Sequence, residues 1–196
     1  MVTKSDIYLG NPNLKKANTQ QEFTKEHIAE FLKCKDDPVY FTHEHIKIVN
    51  VDEGLVNFEM YPFQEKLISN FHKHRFNICK MPRQTGKSTT VVSYLLHYAI
   101  FNDNVNIGIL ANKAATARDL LGRLQLAYEN LPSWMQQGIV AWNKGSMELE
   151  NGSKIIAAST SASAVRGMSF NIIFLDEFAF VQNHLADDFF ASVYPT

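Results

Sequence analysis

Two short runs carry residue types able to do chemistry together: Gly86-Lys87-Ser88, and far downstream Asp176-Glu177. A glycine at the mouth of a helix lets backbone N–H groups converge on an anion, and the lysine adds a mobile positive charge. The serine hydroxyl can ligate a magnesium ion. Two adjacent carboxylates can divide the remaining work, one holding the metal and the other orienting and deprotonating an attacking water. Joined in one site, these groups would hydrolyse ATP with Mg2+.

Each half has an ordinary reading by itself. Gly-Lys-Ser also opens helices that bind nothing, and a strand followed by an acidic helix start is common. The loop Met81-Pro82-Arg83-Gln84-Thr85-Gly86-Lys87-Ser88 also departs from the usual phosphate-binding pattern, because Met81 stands where that pattern begins with glycine. Context joins the halves. Phe76 to Met81 predicts a short strand, and Gly86 to Phe101 predicts a helix with Val91, Leu95, Tyr98 and Val92, Leu96, Ala99 at helical spacing. Asn171 to Leu175 predicts an apolar strand ending at Asp176-Glu177. Ligands of parallel sheets bind beyond the carboxyl ends of strands, so a strand-terminal acidic pair lands beside such a loop.

Other residues could complete the site. Gln64 can offer a donor and an acceptor to the edge of adenine while Phe63 packs on its face; equally, Phe63 could sit in the core and Gln64 in solvent. Arg83 and Arg166 could steady charge on a transferring phosphoryl group, or be solvated surface arginines. The candidate nucleotide set is Phe63, Gln64, Arg83, Gln84, Thr85, Gly86, Lys87, Ser88 and Thr89; the metal set is Ser88 and Asp176; the catalytic set is Glu177, Arg83 and Arg166.

The elements that must position these groups fit a single α/β domain with a small N-terminal appendage, given 196 residues of which 45% are hydrophobic. Residues 1–20 are polar and predict a loosely ordered arm. Thr24 caps a predicted helix with Ile28, Phe31 and Leu32 on one face, stopped by Asp36-Asp37-Pro38. Val39 to Val51 reads as extended or mixed, Asp52-Glu53-Gly54 as a turn into a strand, and Tyr61-Pro62-Phe63-Gln64 as the start of a helix. Val105 to Ala111 predicts a strand buried on both faces, and Lys113 to Glu129 an amphipathic helix. Asn151-Gly152 between strand patterns predicts a hairpin, and Ser159 to Ser169 a mobile loop. Cys34 and Cys79 read as packed thiols. His43 and His45 alternate as on a strand, and neighbouring sequence provides no cysteine or acidic cluster to complete a tetrahedral metal site. A formal net charge of −1 provides no global basic footprint, so a nucleic-acid contact would be a local patch or an assembled ring. No run approaches a membrane span, and the N-terminus lacks a signal peptide's apolar core, which predicts a soluble intracellular protein.

Over about residues 20–196 the chain resembles the large subunit of the tailed-bacteriophage terminase, a DNA-packaging ATPase. The segments that carry the resemblance are Asp37 to Phe41, Tyr61 to Gln64, Arg83 to Ser88, Gly138 to Ser146, Ala164-Val165-Arg166-Gly167 and Asp176-Glu177. The resemblance implies a loop with basic Arg83 inside it in place of the glycine-opened form, so that Met81 is what the family pattern leads one to expect. The resemblance implies a P-loop NTPase of the additional-strand ASCE type, with a mainly parallel sheet flanked by helices. It implies three parts: an arm over 1–20, a helical and extended subdomain over 21–60, and an ATPase core over 61–196 that is C-terminally truncated. The family's lid and nuclease domain would lie beyond, and a central strand would be missing, which predicts poor stability or oligomerisation and slow turnover. It further implies partners: double-stranded phage DNA, a portal protein, a small terminase subunit and further copies of itself in a homo-oligomeric ring, in the host cytoplasm at the prohead and without a membrane. Arg83 would act within its own subunit and Arg166 on a neighbour's nucleotide. Two competing readings remain: a helicase or other P-loop translocase, and a non-catalytic fragment that binds the portal or small subunit.

Overall fold

The computed structural model describes residues 7–50, 52–160 and 168–181. It begins with an antiparallel pair, β1 (Ile7–Tyr8) and β2 (Asn11–Lys15). The expected loose arm is therefore corrected from residue 7 onward. Leu14 is buried, and the buried Gln136 amide accepts from the Lys15 N–H and donates to the Asn13 carbonyl. One remote glutamine satisfies backbone groups that local composition leaves open.

Helix α1 (Lys25–Asp36) starts where the cap signal places it, with the Thr24 hydroxyl accepting from the His27 N–H. Its inward face differs from the expected one: Ile28 and Leu32 are exposed, while Cys34 is buried and Phe31 packs on the core. The chain after Pro38 is helical rather than extended. Helix α2 (Pro38–His45) begins there because the Asp37 carboxylate accepts from the Val39 and Tyr40 N–H groups and proline occupies a position that needs no donor. Strands β3 (Lys47–Asn50) and β4 (Gly54–Asn57) then form an antiparallel hairpin.

Helices α3 (Pro62–Lys73) and α4 (Lys87–Phe101) follow as predicted, but the strand expected between them over Phe76–Met81 does not form. A strand exists only through its ladder, and among the described residues this segment belongs to no sheet. Its side chains show the consequence: Phe76 is exposed and Ile78 is 98% exposed.

The remaining elements are β5 (Asn106–Ala111), α5 (Ala114–Glu129), β6 (Ile139–Trp142), β7 (Ser146–Leu149), β8 (Lys154–Ser159) and β9 (Ile172–Asp176). They make a five-stranded sheet in the order β6-β7-β8-β5-β9. Strand β5 runs parallel to β8 and β9, whereas β7 runs antiparallel to β6 and β8. The sheet is thus mixed, not mainly parallel. The Asn151-Gly152 turn, with Gly152 at φ +80°, joins β7 to β8 as the hairpin its sequence predicts, and a tight hairpin can only be antiparallel.

Alternation along β5 and β9 separates two faces. Ile107, Ile109 and Ala111 join Ile172 and Phe174 in the main core, where α5 packs on β5 and β8. Leu110, Ile173 and Leu175 point the other way and meet Phe170 and Phe178. Helix α4 is buried on nearly every side between α5 and the pair α2 and α3, with apolar side chains on all its faces from Val91 onward and Thr90, Ser93 and His97 buried among them. The molecule is an α/β fold with a mixed sheet flanked by helices.

Candidate functional site

The loop before α4 carries two left-handed backbone positions, Gln84 at φ +62° and Gly86 at φ +71°. Such positions fold consecutive N–H groups to one side and make a concave anion nest at a helix start. Gly86 is the N-terminal cap of α4 and no side chain caps that end, so the first amides of the helix face the nest without a competing acceptor. The Thr85 hydroxyl donates to the Pro82 carbonyl and closes the loop below.

Gln64 is what holds this loop on the body of the protein. Its Oε1 accepts from the Tyr61 N–H at 2.8 Å, and its Nε2 donates to the Thr85 carbonyl at 3.1 Å. A Cβ on residue 86 would lie 2.5 Å from that Nε2, so the cradle needs glycine for space as well as for φ. The assignment of Phe63 to the core and Gln64 to solvent is reversed: Gln64 is 2% exposed and Phe63 is 42% exposed. Phe63 stacks with Tyr61 at a centroid distance of 5.6 Å, and the exposed pair presents an aromatic surface beside the loop.

Strand β9 delivers the carboxylates. Asp176 pairs in register with Ala111 and, by alternation with Phe174, points to the face that carries α4 and α5. There its Oδ1 lies 4.0 Å from Lys87 Nζ, with only 7% of Asp176 exposed. Burial pushes the Asp176 carboxyl above the usual range, Lys87 opposes this, and Glu177 adds to it. Arg123 on α5 also favours the charged form, although Asp119 shares that guanidinium at 3.1 Å. Glu177 sits at φ +51° and is exposed, so β9 ends there with the first carboxylate buried and the second in solvent. Left-handed backbone on a non-glycine residue costs about 1–3 kcal/mol and is concentrated at functional sites.

The structure therefore brings together Gly86, Lys87 and Asp176 from separate elements, with Gln64 bonded to the loop. Ser88 and Thr89 lie on the first turn of α4, and Arg83 and Gln84 are exposed on the loop. Arg166 lies outside the described residues. The bracing role of Gln64 was not legible in sequence, because its partners are backbone groups of the chain before and after it. Arg123 was missed for a similar reason: only the packing of α5 brings its charge toward Asp176.

Residues 78–187 match the protein family described as the terminase large subunit, T4likevirus-type, N-terminal. Among solved structures, the crystal structure of the HK97 bacteriophage large terminase is similar with a TM-score of 0.66 at 17% sequence identity. The similarity covers 83% of this chain and 35% of that one, so this chain spans about a third of its length. At this identity the likeness is one of fold.

Proposed function

This chain belongs to the terminase large subunits of the T4likevirus-type N-terminal family, and on that premise we propose that it hydrolyses ATP to drive double-stranded phage DNA into a prohead. The observation that carries the reading is the 4.0 Å approach of Lys87 Nζ to Asp176 Oδ1, between a nest at one helix start and the carboxyl end of a parallel strand. In this proposal the core over 61–196 is a P-loop fold of the additional-strand type, and 21–60 is a separate subdomain.

The residues present fit a triphosphate and its magnesium. Gly86 opens a helix end that no side chain caps, at a left-handed position where a Cβ would press on Gln64, and Asp176 is a buried carboxylate that a cation would hold in its charged form. Magnesium, when bound, would supply positive charge against that of the phosphates. The N–H groups of Gln84 to Thr89 bind and orient the phosphates, and Lys87 neutralises their charge. Ser88 and Asp176 would hold the metal. Glu177, exposed at the strand end, takes the proton of the attacking water. Phe63 with Tyr61 packs on the base, while Gln64 holds the loop in place and keeps one N–H for the ligand. Arg83 stabilises charge within its own subunit, and Arg166 is assigned to the nucleotide of a neighbour in a homo-oligomeric ring.

Family membership supports the proposed partners: portal protein, small terminase subunit and phage DNA, met in the host cytoplasm. With a net charge of −1, DNA would be gripped by a local patch or by the ring. Among the described residues no helix is long and apolar enough to cross a membrane.

A second reading, nucleotide binding without efficient turnover, is favoured by residues 76–81, which join no sheet among the described residues. A loop that follows a segment outside any sheet is held less rigidly than one that follows a strand. ATP hydrolysis by the chain, with and without DNA, separates the readings. Lys87→Ala and Glu177→Ala are each expected to lower turnover by about 100-fold or more. No turnover in the parent, with magnesium-dependent ATP binding that Lys87→Ala removes, would favour the second reading. Turnover untouched by both substitutions would overturn the site.

A further inference from the structure

Away from the loop, the pairing of α1 with α2 assembles a group of side chains with no part in the chemistry above. Glu30 and Cys34 are one helical turn apart on α1, and His45 closes α2. His45 Nε2 lies 2.9 Å from Glu30 Oε1, and Cys34 Sγ lies 3.6 Å from the same oxygen. One ligand atom from each residue falls within 4.8 Å of the others. The expectation that His45 lacks metal-binding company is therefore corrected. Its partners come from another helix, beyond the reach of a spacing rule.

We propose that Glu30, Cys34 and His45 form a binding site for a divalent transition metal of the zinc class. Tetrahedral zinc with bonds of about 2.0–2.3 Å separates its ligand atoms by about 3.3–3.8 Å. The sulfur–oxygen distance already lies in that range, and the nitrogen–oxygen distance must open by about 0.4 Å. Thiolate, imidazole and carboxylate are a borderline-soft donor set that suits zinc over magnesium or calcium. Three protein ligands leave a fourth position for solvent, and the part-exposed side chains of Glu30 and His45 give access to it. A carboxylate and a thiolate neutralise the charge of the dication. The supporting shell is also built: the Tyr40 hydroxyl donates to Glu30 Oε2 at 3.2 Å, and Lys33 lies 3.5 Å over the Tyr40 ring.

Binding must convert the Cys34 thiol to thiolate and release its proton to solvent. Burial, with Glu30 beside it, pushes that thiol up to about 12 in the absence of metal. Without an ion, the same atoms hold one another by hydrogen bonds.

The chain has two cysteines, so Cys79→Ser leaves Cys34 as its one thiol. That variant would be titrated with cobalt(II) alone, reading the thiolate-to-cobalt charge-transfer band in the near ultraviolet and the tetrahedral bands in the visible. Both are expected to saturate at one equivalent and to be bleached by zinc. Tyr40→Phe in the same background is expected to weaken binding by about tenfold, since it loosens Glu30 without removing a ligand. Lys87→Ala is expected to leave the spectrum unchanged, so failure of the nucleotide site and failure of this site remain distinguishable. Absence of the charge-transfer band in folded Cys79→Ser, checked by circular dichroism, would overturn the proposal.

Discussion

The two ends of α4 meet opposite surroundings. At its C-terminal end, side chains satisfy the carbonyls that a helix leaves unpaired. Asn102 Nδ2 donates to the Tyr98 carbonyl, Asn151 Nδ2 to those of Ala99 and Asn102, and Gln137 Nε2 to that of Ile100. At its N-terminal end, no side chain caps the helix, and the loop before it is partly exposed. A helix locked along its body and at one end can leave the amides of the other end to a ligand. The helix supplies rigidity and the loop supplies the binding groups.

The sharpest way to break this contrast is to cut the body of the helix. Leu96→Ala removes a fully buried side chain and is expected to cost about 2–5 kcal/mol in a denaturant melt, whereas Ile78→Ala, before the loop, should stay within about 0.5 kcal/mol. Equal losses would mean that the segment over 76–81 is packed in solution.

Next in size is a pH effect at His97, buried near the locked end. The carbonyl of Cys34 would ordinarily accept from the N–H four residues on, but that residue is Pro38. His97 Nε2 donates to it instead at 2.8 Å, which leaves Nδ1 as the unprotonated nitrogen, buried and without a partner. Burial lowers this imidazole to about 4 against an ordinary 6.5. Below pH 6.5 the unfolded chain therefore binds the extra proton, and stability is lost as pH falls toward 4, by up to about 3 kcal/mol. His97→Gln keeps a donor and cannot titrate, so its melts between pH 7 and 4 should show a flatter decline.

A smaller change probes the cap itself. Asn151→Ala strips donors from two helix-terminal carbonyls and should cost about 1–3 kcal/mol in thermal or denaturant unfolding. A further change is made at the open end. Gly86→Ala places a Cβ against Gln64 at a left-handed position and should cost about 1–2 kcal/mol, yet magnesium-dependent nucleotide binding, read by fluorescent-analogue titration, should be lost. Retained binding would show that the nest tolerates displacement of Gln64.

Much of this was readable along the chain. The cap at Thr24, the helices following Tyr61 and Gly86, the buried strand before Asn112, the Asn151-Gly152 hairpin and the acidic pair closing β9 all rest on local physics. Helical periodicity, cap hydrogen bonds and glycine's access to positive φ are properties of a few consecutive residues, and family resemblance carried by the same segments pointed to terminase. Tertiary structure decided what depends on a distant partner. Residues 76–81 have strand-like composition but belong to no sheet among the described residues. Residues 7–17 have the composition of a loose arm but find Gln136, and Glu150 accepts from the N–H groups of Gly138 and Asn18. The same rule separates the two candidate sites. Lys87 and Asp176 announce themselves because each sits in a motif of its own, while Glu30, Cys34 and His45 become a cluster only when two helices pack, since burial and pairing are not properties of a segment alone.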